Sequence, residues 1–258
     1  MSLFEELIEY SKQDEKIVKT FQTNDVLSPQ IFIKTENGYK MDTSIRKRLL
    51  EISDDFIDSL GVEFFIHDIV LTGSLSNYNW SEYSDVDLHI LIDFNEIKGV
   101  DNTSNVLQTI IKEFFDAKKN IWNEKHDIKI KGFDVELYVQ DVDEPHISSG
   151  VYSVLNDEWV VEPKKDTPNI DDRKILEKGE EFGKKIDALV NSNDKDDILP
   201  KIESLRKKIK KFRQSGLEKG GEYSYENLTF KLLRRNGYIE KLLKLKTDIT
   251  DKKLSITQ

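Results

Sequence analysis

The sequence predicts an α+β protein: a small mixed β-sheet flanked by helices, followed by a helical C-terminal region. Up to residue 168, several segments alternate apolar and polar residues, as half-buried strands do. Beyond that residue the alternation stops, and apolar residues recur every three or four positions, as in amphipathic helices. A run of strands followed by a run of helices favours this fold class. We therefore predict a peripheral segment over residues 1–40, a sheet-containing domain over 41–168 and a helical domain over 169–258.

The first predicted helix spans Met41–Leu60, where apolar residues recur at steps of three and four. Asp42 or Thr43 is expected to cap its N-terminus, and Gly61 is expected to end it. Ahead of this helix, residues 24–30 are mostly polar and predict a loop.

Strand signals then recur through the sheet-containing domain. Closely spaced apolar residues between Val106 and Phe115 predict a buried helix after the second strand. The predicted strands are, in chain order, Asp68–Thr72, Val86–Asp93, Phe133–Val139 and the two arms of a hairpin, Val151–Leu155 and Trp159–Val161.

The C-terminal region predicts helices alone. A polar stretch over Asn191–Asp197, followed by Pro200, predicts a linker after the first of them. The predicted helices are Leu176–Val190, Ile202–Phe212 and Tyr225–Leu245.

The composition narrows the classes of protein. The chain has no cysteine, which excludes disulfide frameworks and thiolate metal sites. No segment approaches the length of a membrane helix and the N-terminus carries acids, so we expect a cytoplasmic protein with no membrane partner. The net charge of −10 argues against a general DNA-coating protein. The charge is uneven, however, because Lys201–Gln258 has 16 basic and 7 acidic residues.

Two short motifs predict a site for phosphate chemistry. Gly73 follows a strand end, and a turn containing Gly73 and Ser74 can bring backbone N–H groups and a hydroxyl close to phosphate oxygens. Asp85 and Asp87 begin the next strand, where a spacing of two points both carboxylates the same way. Two such carboxylates repel each other unless a cation lies between them, and Mg²⁺ is the usual cation in phosphoryl-transfer sites.

A third carboxylate is expected from the strand that starts at Phe133. Its apolar residues occupy the odd positions, so Asp134 and Glu136 share the opposite face with Tyr138 and Gln140. Alternation alone allows either acid to act as the ligand.

Together these residues resemble the nucleotidyltransferase superfamily, which includes DNA polymerase beta, poly(A) polymerase and the CCA-adding enzymes. The superfamily signature is matched here by Leu71–Ser74, Ser84–Leu88 and Val135–Leu137. The resemblance covers about 70 residues, Asp68–Val139. Residues 216–238 are also similar to uncharacterised nucleotidyltransferase-like proteins of large tailed bacteriophages, which implies a location in the host cytoplasm.

The resemblance implies a polymerase beta-like catalytic domain over residues 41–168 and a two-metal reaction. Gly73 and Ser74 would hold the triphosphate of an NTP such as ATP. Asp85 and Asp87 would bind two Mg²⁺ ions, or Mn²⁺ in their place, and Glu136 would complete the site that activates the acceptor. The implied reaction transfers a nucleoside monophosphate to a hydroxyl and releases pyrophosphate.

This chain departs from the superfamily in one respect, because the third carboxylate is often Asp there. Glu136 is favoured here since it lies in the middle of its strand, between Val135 and Leu137, but Asp134 stays an alternative.

The basic C-terminal helices suggest a second set of ligand contacts. In the superfamily a helical domain often closes over the nucleotide, so Lys231 and Arg234 are assigned to nucleotide binding by resemblance. An RNA 3′ end would suit these helices as acceptor, whereas a protein hydroxyl, a small molecule or a second nucleotide would not need them. The alternative is that the charges form an ordinary solvated face.

A non-catalytic protein with the same fold is the rival function. It would use the basic helices to bind RNA or a protein, as an antitoxin-like module does. The intact carboxylates argue against it, because a binding module has no need of a costly acidic cluster. The aromatic residues Tyr78, Trp80 and Tyr83, between the two motifs, could stack on a nucleobase or pack the loop onto the domain.

Overall fold

The computed structural model describes residues 12–97, 105–144, 148–192 and 198–256. These residues form two compact units. The sheet unit comprises Thr23–Asp166, and the helical unit combines the described residues of Met1–Gln22 and Thr167–Gln258. The predicted α+β class, with a mixed sheet and a helical C-terminal region, is confirmed.

The strands of the sheet unit form a hairpin and a six-stranded sheet. β1 and β2 pair only with each other, in antiparallel fashion. The larger sheet has the order β5-β6-β4-β3-β7-β8, in which β4 and β6 are parallel and the other pairs are antiparallel. The bounds are β1 Phe32–Thr35, β2 Gly38–Met41, β3 Ile66–Thr72, β4 Val86–Ile92, β5 Lys129–Ile130, β6 Phe133–Asp141, β7 Val151–Ser153 and β8 Glu158–Val161.

The parallel pair at the centre of the sheet requires a long connection, because parallel strands cannot be joined by a tight turn. Helix α3 (Asn105–Lys125) lies in that connection. The alternation predicted for β4 is confirmed, since Leu88 and Ile90 are fully buried whereas Asp87 and His89 are half-buried. One face of the central strands therefore packs into the core, and the other presents polar side chains.

Helix α2 (Thr43–Leu60) has the start and end signals that its sequence predicts. Of the two candidate caps, Asp42 is the one used: its carboxylate accepts hydrogen bonds from the backbone N–H groups of Ser44 (2.8 Å) and Ile45 (3.2 Å). Gly61 ends the helix in the left-handed conformation, at φ 71°.

The segment before α2 contributes to the core, which differs from the peripheral role predicted for residues 1–40. Leu27, Ile31 and Phe32 are buried and belong to the core of the sheet unit. The hairpin β1–β2 escaped the sequence analysis because its exposed positions outnumber its buried ones, so no alternation marks it. Its Tyr39 carbonyl accepts a hydrogen bond from the indole N–H of Trp159 (2.7 Å).

The helical unit has a core of its own, built from apolar residues of its four C-terminal helices. The helix predicted over Tyr225–Leu245 is in fact two helices. Gly237 adopts a left-handed conformation (φ 73°), and the Asn236 side chain bonds to Asp14, so the chain turns there. The helices are α1 (residues 12–19), α4 Asp172–Val190, α5 Ile198–Gly220, α6 Tyr225–Arg235 and α7 Tyr238–Leu254.

Helix α5 is longer than its sequence predicts. It starts at Ile198 and includes Pro200 in its first turn, where a proline needs no hydrogen-bond partner for its nitrogen. Of the predicted linker over Asn191–Asp197, residues 193–197 lie outside the described part of the chain.

Charged residues cover the outer faces of these helices. On α4, Arg173 pairs with Glu177 at 2.8 Å and Lys184 pairs with Glu180 at 2.6 Å. Within the described ranges, no helix combines the length and the apolar character that crossing a bilayer requires.

Replacing Asp42 by Ala should lower the free energy of unfolding by about 1 kcal/mol at neutral pH, because the N-terminus of α2 loses its cap. Hydrogen bonds from the Ser44 hydroxyl and from the Ile45 and Ser44 N–H groups lower the pKa of the Asp42 carboxyl. Its stabilising effect should therefore be complete above the unfolded pKa of about 4 and vanish as the pH falls through the lower folded value.

Urea denaturation between acidic and neutral pH measures this difference. Asp58→Ala is the control, because Asp58 is exposed in the last part of the same helix. An equal loss of stability in the two variants would contradict a capping role.

Candidate functional site

The turn after β3 is held in one conformation by side chains that surround the Gly73 carbonyl. The side-chain amide of Asn77 donates a hydrogen bond to that oxygen (2.6 Å). The Ser76 hydroxyl lies 2.9 Å from the same oxygen and 2.8 Å from the Gly150 carbonyl. Because C=O and N–H point in opposite directions across a trans peptide, fixing this carbonyl also fixes the direction of the Ser74 N–H.

Gly73 is required by the backbone and by the neighbouring strand. Its φ of 72° and ψ of −160° lie in a region that is essentially restricted to glycine. A Cβ built on it would lie 1.9 Å from Oδ2 of Asp87. The Gly73 backbone and the Asp87 carboxylate are thus in direct van der Waals contact.

A serine pair joins the two motifs. The hydroxyls of Ser74 and Ser84 are 2.7 Å apart, and Ser84 also accepts a hydrogen bond from the backbone N–H of Ser81 (2.9 Å). Ser84 is buried and immediately precedes Asp85. The intervening loop therefore returns so that the turn at Gly73 and Ser74 lies next to the first aspartate.

The register of three adjacent strands brings the polar residues onto one face. Thr72 of β3 lies opposite Asp87 of β4, which in turn lies opposite Glu136 of β6. Directly paired residues point to the same face, and neighbouring strands are about 4.8 Å apart. The next row on this face contains Val70, His89 and Tyr138, by the same pairing.

Tyr138 holds Glu136 by a hydrogen bond from its hydroxyl to Oε2. Burial raises the pKa of Tyr138, and the hydrogen bond to Glu136 and the negative charges of Glu136, Asp87 and Asp85 raise it further. One hydroxyl is therefore influenced by all three carboxylates, which places them in one neighbourhood.

The Tyr138 ring is itself supported on several sides. His89 stacks on it with ring centroids 4.8 Å apart, and the Lys119 ammonium lies 4.6 Å from its centroid. His89 Nδ1 is 2.7 Å from Oε1 of Gln140. Alternation along the strand places Tyr138 on the face of Glu136, but no role for Tyr138 was predicted from the sequence. The spacing of two residues was the signal that could have indicated a contact between them.

Asp134 occupies a different environment from Glu136. It is ion-paired with Lys129 of the edge strand β5, which is its direct partner in the sheet, and its side chain is 57% exposed. Glu136 is half-buried beside Asp87. The geometry therefore favours Glu136 as the third carboxylate.

Three carboxylates form a donor set that suits a hard divalent cation such as Mg²⁺. Nevertheless, across the described ranges no three Asp, Glu, His or Cys side chains are close enough to hold an ion. The Glu136 carboxylate is directed to Tyr138, so it would have to rotate to bind the same ion as Asp87. The backbone would not have to move, because β4 and β6 already place the two residues side by side.

The aromatic loop between the motifs contributes to packing. Tyr78 and Trp80 pack against the core of the sheet unit, and the Trp80 indole N–H donates to the Val26 carbonyl (2.9 Å). The side-chain amide of Asn24 donates to the carbonyls of both Tyr78 (3.1 Å) and Trp80 (2.7 Å). These contacts favour the packing alternative for Tyr78 and Trp80.

The remaining predicted site residues, Lys231 and Arg234, lie on α6 in the helical unit. They belong to a group of cations there, which is described below.

Comparison of the chain with protein-family models, curated proteins and solved structures gave no match. Its function therefore has to be inferred from the residues and geometry of the site itself.

Replacing Gly73 by Ala should lower the free energy of unfolding by about 2–3 kcal/mol, since both backbone strain and the contact with Asp87 oppose a Cβ. Gly61→Ala is a matched control, because Gly61 has nearly the same φ but no atom within 4 Å of its Cβ position. That variant should lose only about 1 kcal/mol. Urea denaturation of both variants measures the difference, and equal losses would contradict the close contact of Gly73 with Asp87.

Proposed function

We propose that this chain is a metal-dependent nucleotidyltransferase, which transfers a nucleoside monophosphate from an NTP to a hydroxyl acceptor. The observation that carries the proposal is the sheet register that places Asp87 beside Glu136, with the glycine-serine turn against Asp87. The contact between Gly73 and Asp87 supports it most directly, because it joins the two motifs at the level of atoms. The resemblance of the same residues to the nucleotidyltransferase signature is a second, weaker support.

In this proposal the turn binds the triphosphate. The Ser74 N–H has a fixed direction, so it can donate to a phosphate oxygen without reorganisation. The Ser74 hydroxyl donates to Ser84 in the structure and would turn its proton to the phosphate on binding. ATP is the first NTP to test.

The carboxylates would hold the metal. Asp85 and Asp87 would bind two ions, and Glu136 would join them on the acceptor side. Mg²⁺, or Mn²⁺ in its place, would supply neutralisation of phosphate charge and a lower pKa for the acceptor hydroxyl. In the structure the Glu136 carboxylate accepts a hydrogen bond from Tyr138, so it would turn from Tyr138 to reach a metal.

The chemical step is an in-line displacement at the α-phosphorus. The acceptor oxygen forms the new P–O bond, and the bond between the α-phosphorus and the α–β bridging oxygen breaks. Pyrophosphate leaves with that electron pair, and the hydroxyl proton passes to solvent. The protein contributes orientation and charge balance, which together supply most of the catalysis in phosphoryl transfer.

The setting of the proposed reaction is the cytoplasm. A chain without cysteine suits a reducing compartment, and NTPs are available there. An RNA 3′ end is the proposed acceptor, because the helical unit carries the excess of basic residues.

Asp85→Ala/Asp87→Ala should reduce pyrophosphate release to background, at least about 1,000-fold below wild type, because the metals lose their shared ligands. The assay combines each NTP with Mg²⁺ and RNA or small-molecule acceptors. Asp54→Ala/Asp58→Ala is the control, since it removes the same charge from exposed positions on α2. Equal background release by wild type and the Asp85/Asp87 variant would defeat the catalytic proposal and favour the non-catalytic binding module.

The choice of third carboxylate has a test of its own. Glu136→Gln should reduce pyrophosphate release by about 100-fold or more, because the amide cannot replace a carboxylate that binds metal. Asp134→Asn should stay within about twofold of wild type, as expected for a surface ion pair. The reverse order of effects would assign the role to Asp134.

A further inference from the structure

The helical unit concentrates positive charge on two helices. Helix α5 (Ile198–Gly220) has eight Lys and Arg residues and two Glu residues. The last turn and a half of α6 adds three more cations: Lys231, Arg234 and Arg235.

Several cations elsewhere in this unit have carboxylate partners. Ion pairs join Arg173 to Glu177, Lys184 to Glu180 and Lys246 to Glu203. By contrast, four exposed lysines of α5 form no ion pair with any described residue; they are Lys207, Lys208, Lys210 and Lys211. An ordinary solvated helix face mixes both signs, as α4 does, whereas α5 has eight cations and two carboxylates.

The cations of α6 and α5 meet around Lys231, which is half-buried. Its pKa is lowered by loss of hydration and by the positive charges of Arg235, Arg234 and Arg213, while Glu222 raises it. Lys231 therefore lies close enough to Arg213, Arg234 and Arg235 for their charges to act on it, while Glu222 opposes them. An anionic ligand at this point would meet several cations at once.

Arg213 is held in place before any ligand arrives. Its Nε donates to Oδ1 of the buried Asn227 (3.1 Å), and its guanidinium lies 4.3 Å from the centre of the Phe230 ring. A Cβ on Gly216 would lie 2.5 Å from Glu226, so the missing side chain lets α6 approach α5 closely at this point. The approach brings Arg213 to the cations of α6.

Arg235 is fixed on the other side of α6. Its Nη1 donates to the Thr20 hydroxyl (2.7 Å), and its guanidinium lies 5.0 Å from the centre of the Phe21 ring. The cluster is therefore built by packing and hydrogen bonds, unlike a row of mobile surface lysines. We call Arg213, Lys231, Arg234 and Arg235 the α5–α6 cation cluster.

We infer that the α5–α6 cation cluster and the unpaired lysines of α5 bind the phosphate backbone of a single-stranded polynucleotide. The lysines continue from Arg213 towards the N-terminus of α5 at spacings of three and four residues, which are neighbours on a helix. From Lys207 to Arg213 the helix extends about 9 Å, which is the length of about three stacked nucleotides. A single triphosphate would contact the cluster only, and the four exposed lysines of α5 would have no phosphate to bind.

The role of this surface rests on the proposed function: it would deliver the strand whose terminal hydroxyl is the acceptor. The binding itself does not depend on that function, because it uses no metal and no residue of the sheet unit. Failure of one proposal is therefore distinguishable from failure of the other.

The test measures the affinity of the full-length protein for fluorescent oligouridylate and oligothymidylate of about 12 nucleotides, by anisotropy, in EDTA. About three phosphate contacts along α5 and about two at the α6 cations predict a slope near −3.5 for log affinity against log salt, hence about a 100-fold loss between 50 and 200 mM KCl. Arg213→Gln/Lys231→Gln/Arg234→Gln should weaken binding at least tenfold and make the slope shallower by about 2.

The matched control is Arg173→Gln/Lys184→Gln/Lys185→Gln, which removes three cations that are ion-paired on α4 of the same unit. It should bind within about twofold of wild type. A second variant, with the four exposed α5 lysines replaced by Gln, avoids any buried group and should also bind at least tenfold more weakly than wild type.

Equal weakening by the cluster variant and its control would overturn the proposal, because only total charge would then matter. A slope near zero, or no binding at low salt, would overturn it as well. Equal affinity for RNA and DNA would show that the protein recognises the phosphates alone. A preference for RNA would show that it also contacts the 2′-hydroxyl groups. Asp85→Ala/Asp87→Ala should bind both strands as wild type does, whatever its effect on pyrophosphate release.

Discussion

The side chains of β4 alternate between two environments, and the rest of the candidate site depends on this alternation. Pairing with β3 and β6 buries Leu88 and Ile90 in the core. Because a shift of one residue would bring Asp87 into that core, the register is strongly specified. Asp87 is consequently held between Thr72 and Glu136, whatever occupies the site. A polar face with defined neighbours is thus a by-product of packing the opposite face.

The two units accumulate charge of opposite sign. In the sheet unit, the negative charges of Glu136, Asp87 and Asp85 all act on the Tyr138 hydroxyl, which donates a hydrogen bond to Glu136. In the helical unit, cations surround a half-buried Lys231, and Glu222 opposes them. The proposed ligands, divalent cations for the sheet unit and phosphates for the helical unit, match these charges. The net charge of −10 conceals this division.

Much of the candidate site could be predicted because its signals are local. The turn at Gly73 and the spacing of Asp85 and Asp87 can be recognised in the sequence, since strand alternation determines which side chains share a face. The mid-strand position of Glu136 favoured it over Asp134, but both have the same parity, and the partners across the sheet are what separate them. The hairpin β1–β2 was missed for a related reason: its pairing is stabilised by distant contacts such as that of Tyr39 with Trp159.

The sequence by itself determined the fold class, the buried face of each long strand and the amphipathic character of the C-terminal helices. These follow from periodicity, which every residue carries with it. Only the tertiary structure decided which side chains meet: Gly73 with Asp87, Tyr138 with Glu136, and Arg213 with Asn227. Such meetings depend on strand register and on how closely two helices approach, and both are set by packing between segments that are far apart in the chain.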